Sequence, residues 1–147
     1  MSMRLEDAAS LRGCLELSIT RHGQEIEHYR DDNMIMSSAR DALARLIGGD
    51  GAGKVVTQIG VGEDDFGPNP NDTKLTNAFI KKLTSHSYPA TGSVVFAFSI
   101  GPAEANGKTI REFGLICGDG SLFARKTRGA IEKADDIEIT GTWTINF

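Results

Sequence analysis

The carboxyl-terminal stretch, residues 137–147, alternates strictly between two kinds of side chain, and this pattern constrains the fold more than any other part of the chain. One parity is apolar apart from a glycine and comprises Ile137, Ile139, Gly141, Trp143, Ile145 and Phe147. The other parity is polar and comprises Glu138, Thr140, Thr142, Thr144 and Asn146. Because successive side chains of a β-strand point to opposite faces, this pattern predicts one long strand with its apolar face on a core. The threonine-rich face is then left for solvent or for a partner.

A β-hairpin is predicted immediately before this strand. Residues 110–117 form an apolar run, residues 118–121 form a turn, and residues 122–124 return from it. The turn contains Asp119 followed by Gly120, and Asp-Gly between two hydrophobic runs is a strong hairpin signal because glycine adopts the positive φ of tight turns. The carboxyl-terminal third of the chain is therefore predicted to be antiparallel β-structure.

Further strands are predicted along the rest of the chain. Alternating or extended patterns cover residues 11–21, 24–30, 54–61, 79–85 and 93–100. We expect Asp31, Asp32 and Asn33 to end the second of these strands, and residues 73–78 to form a single helical turn. The proline-containing segment 62–72 is predicted to be a loop, because proline fixes φ and lacks a donor.

One helix is predicted, beginning at Ser37 and ending at Ile47. Its apolar residues recur at helical spacing and form a stripe of Ala39, Ala42, Leu43, Leu46 and Ile47. Ser38 and Asp41 resemble a capping arrangement at the start, and Gly48 follows the last apolar residue, where a C-terminal glycine is expected. Together these elements predict an α+β fold of mostly antiparallel strands, arranged as a sandwich or curled sheet with the helix covering one face.

The length of 147 residues fits a single domain, 1–147, in which we expect residues 1–10 to be disordered and residues 11–30 to form an added hairpin. The formal net charge of −4 lacks the basic footprint of a nucleic-acid-binding protein. Neither a signal peptide nor an apolar run of the roughly 20 residues that span a bilayer is visible, so no membrane partner is predicted and synthesis in the cytoplasm is expected. Cys14 and Cys117 lie in apolar runs and are expected to be free thiols.

The glycine-rich run from Gly48 to Lys54 matches the spacing of a phosphate-binding loop. Val55 follows where such a loop has Ser or Thr for Mg²⁺. The predicted order is helix, loop, strand, so the loop leaves a helix C-terminus, whose partial charge is negative. A flexible connection is favoured over a nucleotide site.

No pattern of catalytic or metal-binding residues is visible in the sequence. The acidic and amide side chains of residues 63–72 could hold a hard cation, but their spacing matches no calcium loop and a solvated acidic loop is favoured. His22, His28 and His86 lack metal-ligand spacing, and no nucleophile elbow occurs. The sequence therefore predicts no catalytic residue, no metal and no cofactor.

Cationic side chains cluster along the predicted hairpin. Arg111 and Glu112 open it, and Arg125, Lys126 and Arg128 follow its turn. Two interpretations remain open: an edge strand that carries charge to prevent aggregation, or the polar rim of a subunit interface.

Several of these segments resemble small tail proteins of tailed bacteriophages and prophages, in particular the amino-terminal collar region of tail fibres. In that family a strand of the form E-x-G-L/V-F, a turn of the form D-G-T/S-L and a threonine-rich amphipathic strand recur. The matching segments here are residues 110–116, 119–125, 131–133 and 143–145, preceded by 39–46, 59–62, Pro70, 72–73 and 75–76. The resemblance covers residues 34–147, and unlike a tail fibre the sequence has no repeats or receptor-binding tip after this region.

The resemblance implies a non-enzymatic structural component of a phage or prophage-derived tail or baseplate. It implies a homo-oligomer, with a trimer favoured, other tail or baseplate proteins as partners, and a final location in the virion tail. The candidate interface residues are Arg111, Glu112, Arg125, Lys126, Thr140, Thr142, Thr144 and Phe147. We expect the threonine face to lie beside the strand that carries Arg125 and Lys126.

Two other functions remain open. A small sandwich could bind surface carbohydrate by stacking Trp143, Tyr88 or Tyr29 on a sugar, although the parity of Trp143 favours burial. A weaker alternative is a small nucleotide-binding enzyme that uses the run from Gly48 to Lys54.

Overall fold

The structure is a computed structural model that describes residues 11–67 and 69–147. The predicted disorder of residues 1–10 lies outside the described residues. Within them the chain forms nine strands and one helix. In chain order these elements are β1 (Arg12–Arg21), β2 (Gln24–Ile35), α1 (Ser37–Gly48), β3 (Val56–Gly62), β4 (Phe79–Lys82), β5 (Ser85–Ser87), β6 (Ser93–Ile100), β7 (Thr109–Cys117), β8 (Leu122–Glu132) and β9 (Ile137–Asn146). The fold is α+β and mostly antiparallel β, which confirms the predicted class.

Two sheets form a sandwich, and β2 belongs to both. The first sheet has the strand order β2-β1-β9-β6-β5, and the second has the order β4-β3-β7-β8-β2. All strand pairs are antiparallel. The alternating carboxyl-terminal strand, β9, lies at the centre of the first sheet between β1 and β6, where Trp143 pairs with Leu15 and Phe96. A strand with neighbours on both sides and a core beneath it has its register strongly specified.

The chain links the two sheets at both sides of the sandwich. On one side, β2 pairs with β1 along most of its length and with β8 through its last two residues. On the other side, only Leu83 and Thr84 separate β4 from β5. The Leu83 N–H donates to the Thr57 carbonyl of β3 at 3.0 Å, and the Thr84 N–H donates to the Ala97 carbonyl of β6 at 2.8 Å. Residues 24–33 of β2 pair only with β1, so the sandwich is joined at this side through the last two residues of β2.

Apolar side chains from both sheets fill the main core. Trp143 is completely buried, as its parity predicted, and its Nε1–H donates to Asn33 Oδ1 at 2.7 Å. The other fully buried side chains include Leu15, Leu17, Ile59, Val61, Ile100, Ile110, Phe113, Leu115 and Ile139. Burial of such side chains contributes roughly 1.5–3 kcal/mol each and is the main source of stability.

A second, smaller core lies on the outer side of the second sheet. It consists of Met36, Leu75, Ile116 and Leu122. Leu75 belongs to the segment 63–78 between β3 and β4, so this segment crosses the outer face of the sheet. Two glycines make room for it: a Cβ on Gly60 would lie 2.7 Å from Leu75 Cδ1, and a Cβ on Gly114 would lie 3.1 Å from it. We call residues 63–78 the crossing segment.

The helix α1 confirms the predicted helix, but both of its ends differ from the prediction. Met36 is the N-cap residue and makes no side-chain cap. The Ser38 hydroxyl donates to the Leu122 carbonyl of β8 instead of capping the helix. Gly48 is still helical, and Gly49 adopts the left-handed conformation, with φ 86°, that ends the helix.

Only the first part of the predicted apolar stripe of α1 is buried. Ala39 and Ala42 pack in the interior, whereas Leu46 is 40% exposed and Ile47 is 89% exposed. The helix packs against β8, and the apolar side chains of its last turn are exposed. The apolar stripe therefore predicted the helix correctly, but its last residues, Leu46 and Ile47, are not buried.

Two local predictions were wrong. Asp31, Asp32 and Asn33 do not end β2, because they pair with residues 13–15 of β1. Residues 73–78 form no helical turn; they run as irregular backbone across the second sheet. Both segments are held by groups distant in sequence, which a local pattern does not reveal.

Candidate functional site

A buried ion pair joins Glu112 of β7 to Arg125 of β8. Arg125 Nε donates to Glu112 Oε1 at 2.8 Å, and the two residues are 3% and 0% exposed. The second oxygen, Oε2, accepts the backbone N–H of Asp64 at 3.0 Å and that of Thr76 at 2.8 Å. The carboxylate therefore ties both ends of the crossing segment to the second sheet.

Arg125 also engages two carboxylates of the crossing segment. Its Nη1 donates to Asp72 Oδ2 at 3.0 Å, and its Nη2 lies 3.8 Å from Asp64 Oδ2. Nη2 is buried and has no hydrogen-bond partner within the described residues. Asp72 Oδ2 also accepts the Asn69 N–H at 2.8 Å. The sequence favoured a solvated acidic loop for this segment. Asp64 and Asp72 instead face the buried Arg125, and Asp72 also accepts an amide of its own loop.

These contacts correct the prediction for two of the candidate interface residues. Glu112 and Arg125 are buried beneath the crossing segment, so neither lies on an exposed interface rim. Arg111 is half-buried, and its Nη1 donates to the Glu63 carbonyl at 3.3 Å. The alternative of a charged edge strand is wrong for β7, which pairs with both β3 and β8, whereas β8 pairs with β2 only through Ala124 and Arg125.

The remaining cations of β8 are paired with acidic residues of β2. Lys126 Nζ lies 2.8 Å from Asp31 Oδ2, and Arg128 makes two bonds to the Glu27 carboxylate at 2.9 and 3.0 Å. Arg128 also lies over the Tyr29 ring, 4.8 Å from its centroid. These cations, which lie close together in the sequence, therefore form ion pairs within the chain, and the ion pairs hold β8 beside β2.

The predicted threonine face lies on the outer side of the first sheet. Thr140 is exposed, and Thr142 and Thr144 are half-buried. Small side chains flank Thr140, which pairs with Ser18 of β1 and Ser99 of β6. The prediction that this face lies beside the strand of the hairpin cations was wrong, because β9 is flanked by β1 and β6 while β8 belongs to the second sheet.

An apolar cleft of about 490 Å³ opens at the end of the sandwich next to α1. The side chains of Leu43 and Leu46 form its α1 wall, and Val55, Tyr88 and Phe147 lie on its other walls. Phe96, Phe123 and Ile145 are buried and also line it, which makes the cleft continuous with the main core. The volume and the mainly apolar lining fall in the range of protein binding sites.

Large apolar side chains stand exposed around this cleft. Val55 is 56% exposed, Tyr88 74% and Phe147 55%. Among the predicted interface residues, Phe147 is therefore on a different surface from the threonines, and its N–H donates to the Gly92 carbonyl at 2.8 Å. The sequence did not indicate that Val55 and Leu46 are exposed, because each belongs to an apolar pattern that is typical of buried residues. They are exposed because they lie at the end of the sandwich.

The run from Gly48 to Lys54 connects α1 to β3 and lies at the edge of the cleft. Lys54 Nζ forms an ion pair with Asp119 Oδ2 of the β7–β8 turn at 2.7 Å. This bond, together with hydrogen bonds from Ser121, holds the pKa of Asp119 well below its usual range, and the Asp119 carboxylate raises the pKa of Lys54. The amides of this loop follow a helix C-terminus, so the structure gives it none of the geometry of a phosphate-binding loop.

The other predicted ligand groups do not converge on a site. Within residues 11–67 and 69–147, no group of three or more His, Cys, Asp or Glu side chains is placed to hold a metal ion. Cys14 and Cys117 are free thiols, as predicted. In the same part of the chain, no helix is long and apolar enough to span a membrane.

Comparison with known proteins gives no family for this chain. No protein-family model matches the sequence, and searches of curated proteins and of solved structures found no match.

Proposed function

We propose that this chain is a non-enzymatic structural subunit of a phage or prophage-derived tail or baseplate, and that it acts as a homo-oligomer, with a trimer favoured. The observation that carries the proposal is the apolar end of the sandwich. Val55, Tyr88, Phe147 and the end of α1 expose large apolar side chains around one cleft. Monomeric proteins rarely expose a large contiguous apolar surface, and such surfaces mark interaction sites.

Several segments behind the tail-protein resemblance meet at one place in the fold. One set of contacts fastens the crossing segment to the second sheet. It involves the glycines of residues 59–62, the region of Asp72 and Leu75, Glu112 and Arg125. Motifs that are scattered in the sequence thus have one structural role. A cross-linked body of this kind suits a subunit that works by its shape and its surfaces.

The assembly surface also differs from the one that the sequence favoured. The sandwich presents a polar face with Thr140 and an apolar end with Phe147. Burial of apolar area drives most protein association, so the apolar end is the better primary interface. The threonine face remains available for other tail or baseplate proteins in the virion tail.

Analytical ultracentrifugation of the full chain tests the assembly proposal. We expect a concentration-dependent oligomer, most simply a trimer of about three times 15.8 kDa. A monomer that persists up to several hundred micromolar would count against it. The tail assignment is tested by the neighbouring genes, where tail-tube, baseplate or fibre genes are expected and a purely metabolic neighbourhood would contradict it.

A carbohydrate-binding module is the second candidate, and one observation favours it. Tyr88 is 74% exposed at the cleft, and His86 stands edge-on to its ring with centroids 5.7 Å apart. Sugars stack on exposed aromatic rings, whereas the buried Trp143 has no face to offer. Binding on a glycan array that the Tyr88→Ala variant loses would favour this candidate over assembly alone.

A further inference from the structure

Lys133 is a buried lysine whose ammonium group contacts only uncharged oxygens. The residue is 3% exposed and directly follows the last residue of β8. Its Nζ lies 2.8 Å from Asn106 Oδ1, 2.9 Å from the Ala134 carbonyl and 3.4 Å from the Pro102 carbonyl. Within residues 11–67 and 69–147, no carboxylate forms an ion pair with it. Because a buried charge is normally paired, the ammonium form is less favoured here than in water.

The environment of Lys133 favours the neutral amine. Burial lowers the pKa of Lys133, and the carboxylates of Glu104 and of three other acidic residues oppose this effect only in part. A lysine whose pKa is lowered by burial more often holds the neutral amine, and the neutral amine is a nucleophile. Lys133 therefore has the burial and the protonation behaviour of a reactive lysine.

The side-chain amide of Asn106 is held against this amine. Its Nδ2 donates to the Pro102 carbonyl at 2.9 Å. The backbone is fixed as well, since the Gly107 N–H donates to the Lys133 carbonyl at 2.9 Å and the Lys133 N–H donates to the Lys108 carbonyl at 3.0 Å. With a C=O bond of about 1.23 Å, Asn106 Cγ lies at most about 4.0 Å from Lys133 Nζ. The amine and the carbonyl carbon are therefore close to reacting distance.

The residue before Asn106 has an unfavourable backbone conformation. Ala105 has φ 56°, which lies in the left-handed region that a residue with a Cβ rarely adopts. Its side chain is buried and belongs to the main core. Strained backbone of this kind occurs mostly where the surrounding structure fixes a functional group in place. The conformation of Ala105 therefore fits a loop that fixes the position of the Asn106 side chain.

We infer that Lys133 and Asn106 of the same chain become joined by an isopeptide bond. Lys133 Nζ forms a bond with Asn106 Cγ, and the bond between Asn106 Cγ and Nδ2 breaks. Starting from the ammonium form, Nζ loses two protons and the departing nitrogen takes up two, so one ammonium ion is released and no oxidant or other reactant is consumed. Asn106 is exposed, so the ammonium ion leaves directly to solvent. Holding two groups together in this way can correspond to effective concentrations of up to about 10⁵–10⁸ M.

The bond would fasten the open end of the hairpin formed by β7 and β8. Asn106 precedes β7 and Lys133 follows β8, so the new bond closes a covalent loop around both strands. The same hairpin carries the buried ion pair of Glu112 and Arg125. A permanently closed hairpin suits a structural subunit, but the bond forms within one chain and does not depend on the proposed assembly.

Peptide mapping by mass spectrometry tests this inference on the full chain. Trypsin should release residues 83–108 and 129–133 as separate peptides if no bond forms. We expect wild type, after prolonged incubation in the folded state at neutral pH, to give one species instead: peptide 83–108 joined to peptide 129–147, with the mass of one ammonia missing. Wild type incubated unfolded in urea should give the separate peptides, because the contact requires the fold.

Two variants and a control complete the test. Asn106→Ala removes the electrophile at an exposed position and should keep the fold, which circular dichroism verifies; Lys133→Met removes the nucleophile. Both should give only unjoined peptides. Asn71→Ala is the matched control, because Asn71 is an exposed asparagine outside both peptides, and it should form the joined species as wild type does.

Two results would overturn the inference. One is recovery of the separate peptides alone from folded, incubated wild type. The other is an unchanged loss of ammonia in Lys133→Met, because that loss would come from ring closure between Asn106 and the Gly107 nitrogen. Neither result bears on the oligomeric state, so the proposed assembly function stands or falls separately by ultracentrifugation.

Discussion

Replacement of Glu112 by glutamine is expected to destabilise the protein by about 3 kcal/mol. Removal of one partner of a buried ion pair costs roughly 3–5 kcal/mol, because the other charge is left buried without compensation. Arg125 keeps Asp72 at 3.0 Å and Asp64 at 3.8 Å, which places the expected loss at the lower end of that range. The neutral amide also accepts the Asp64 and Thr76 amides less strongly than the carboxylate does.

Urea unfolding measures this change, with the fluorescence of the buried Trp143 as the signal. For a chain of this size, a loss of about 3 kcal/mol lowers Tm by roughly 10 °C. Hydrogen exchange adds a local test, because the amides of Asp64 and Thr76 should lose protection more than those of the main core. Glu132→Gln is the matched control, since Glu132 is exposed on β8 and should change stability by less than about 0.5 kcal/mol.

The reasoning would be refuted if Glu112→Gln unfolded within about 1 kcal/mol of wild type and kept the protection of both amides. A double variant, Glu112→Leu with Arg125→Met, separates charge from packing. Because apolar replacement of a buried ion pair is often neutral, we expect it to recover part of the loss measured for the single variant. The crossing segment should stay less protected in it, since the amides of Asp64 and Thr76 have no acceptor there.

Three further predictions concern single residues. Gly62→Ala should destabilise by about 1–3 kcal/mol in urea unfolding, because its Cβ would overlap the carboxylate of the buried ion pair, whereas Gly67→Ala has open space around it and should be nearly neutral. Since the ion pair with Lys54 lowers the pKa of Asp119, it adds stability above the unfolded pKa of about 3.9 that is lost as pH falls toward the folded pKa. The stability difference between wild type and Asp119→Asn should therefore be largest near neutral pH and shrink below about pH 4, and a difference that grows with acid would contradict the assignment. Trp143→Phe should lower the free energy of unfolding by about 2–3 kcal/mol, because it removes a hydrogen bond to a side-chain amide of β2 and leaves part of the core site unfilled. Unfolding followed by circular dichroism measures this loss.

Strands with one apolar face were predictable from the sequence. The prediction for residues 93–100 matches β6, and the prediction for residues 137–147 differs from β9 only at its last residue. Both strands lie in the first sheet with one face on the main core, so period two reports their environment directly. The start of β8 was predicted and its continuation to Glu132 was not, because polar residues in that part are paired with β2 and leave no alternation to read.

The polar sites were not predictable in the same way. Glu112 and Arg125 were placed on an exposed rim because charged side chains are almost always at the surface. They are buried because the crossing segment, some 40 residues earlier in the chain, covers them and supplies amides and Asp72 as partners. The cleft likewise arises where α1 meets the ends of β3, β6 and β9, which lie far apart in the sequence.

The sequence by itself determined the antiparallel β character, the helix, the turn at Asp119 and Gly120, and the face on which Trp143 lies. These features depend on side-chain periodicity and on the φ that glycine permits, which are properties of neighbouring residues. Only the tertiary structure decided which carboxylates face Arg125, that the threonine face and the β8 cations belong to different sheets, and that Val55 and Phe147 frame a cleft. Those outcomes depend on which segments pack together, and desolvation then sets the energy of every charge and apolar group at the contact.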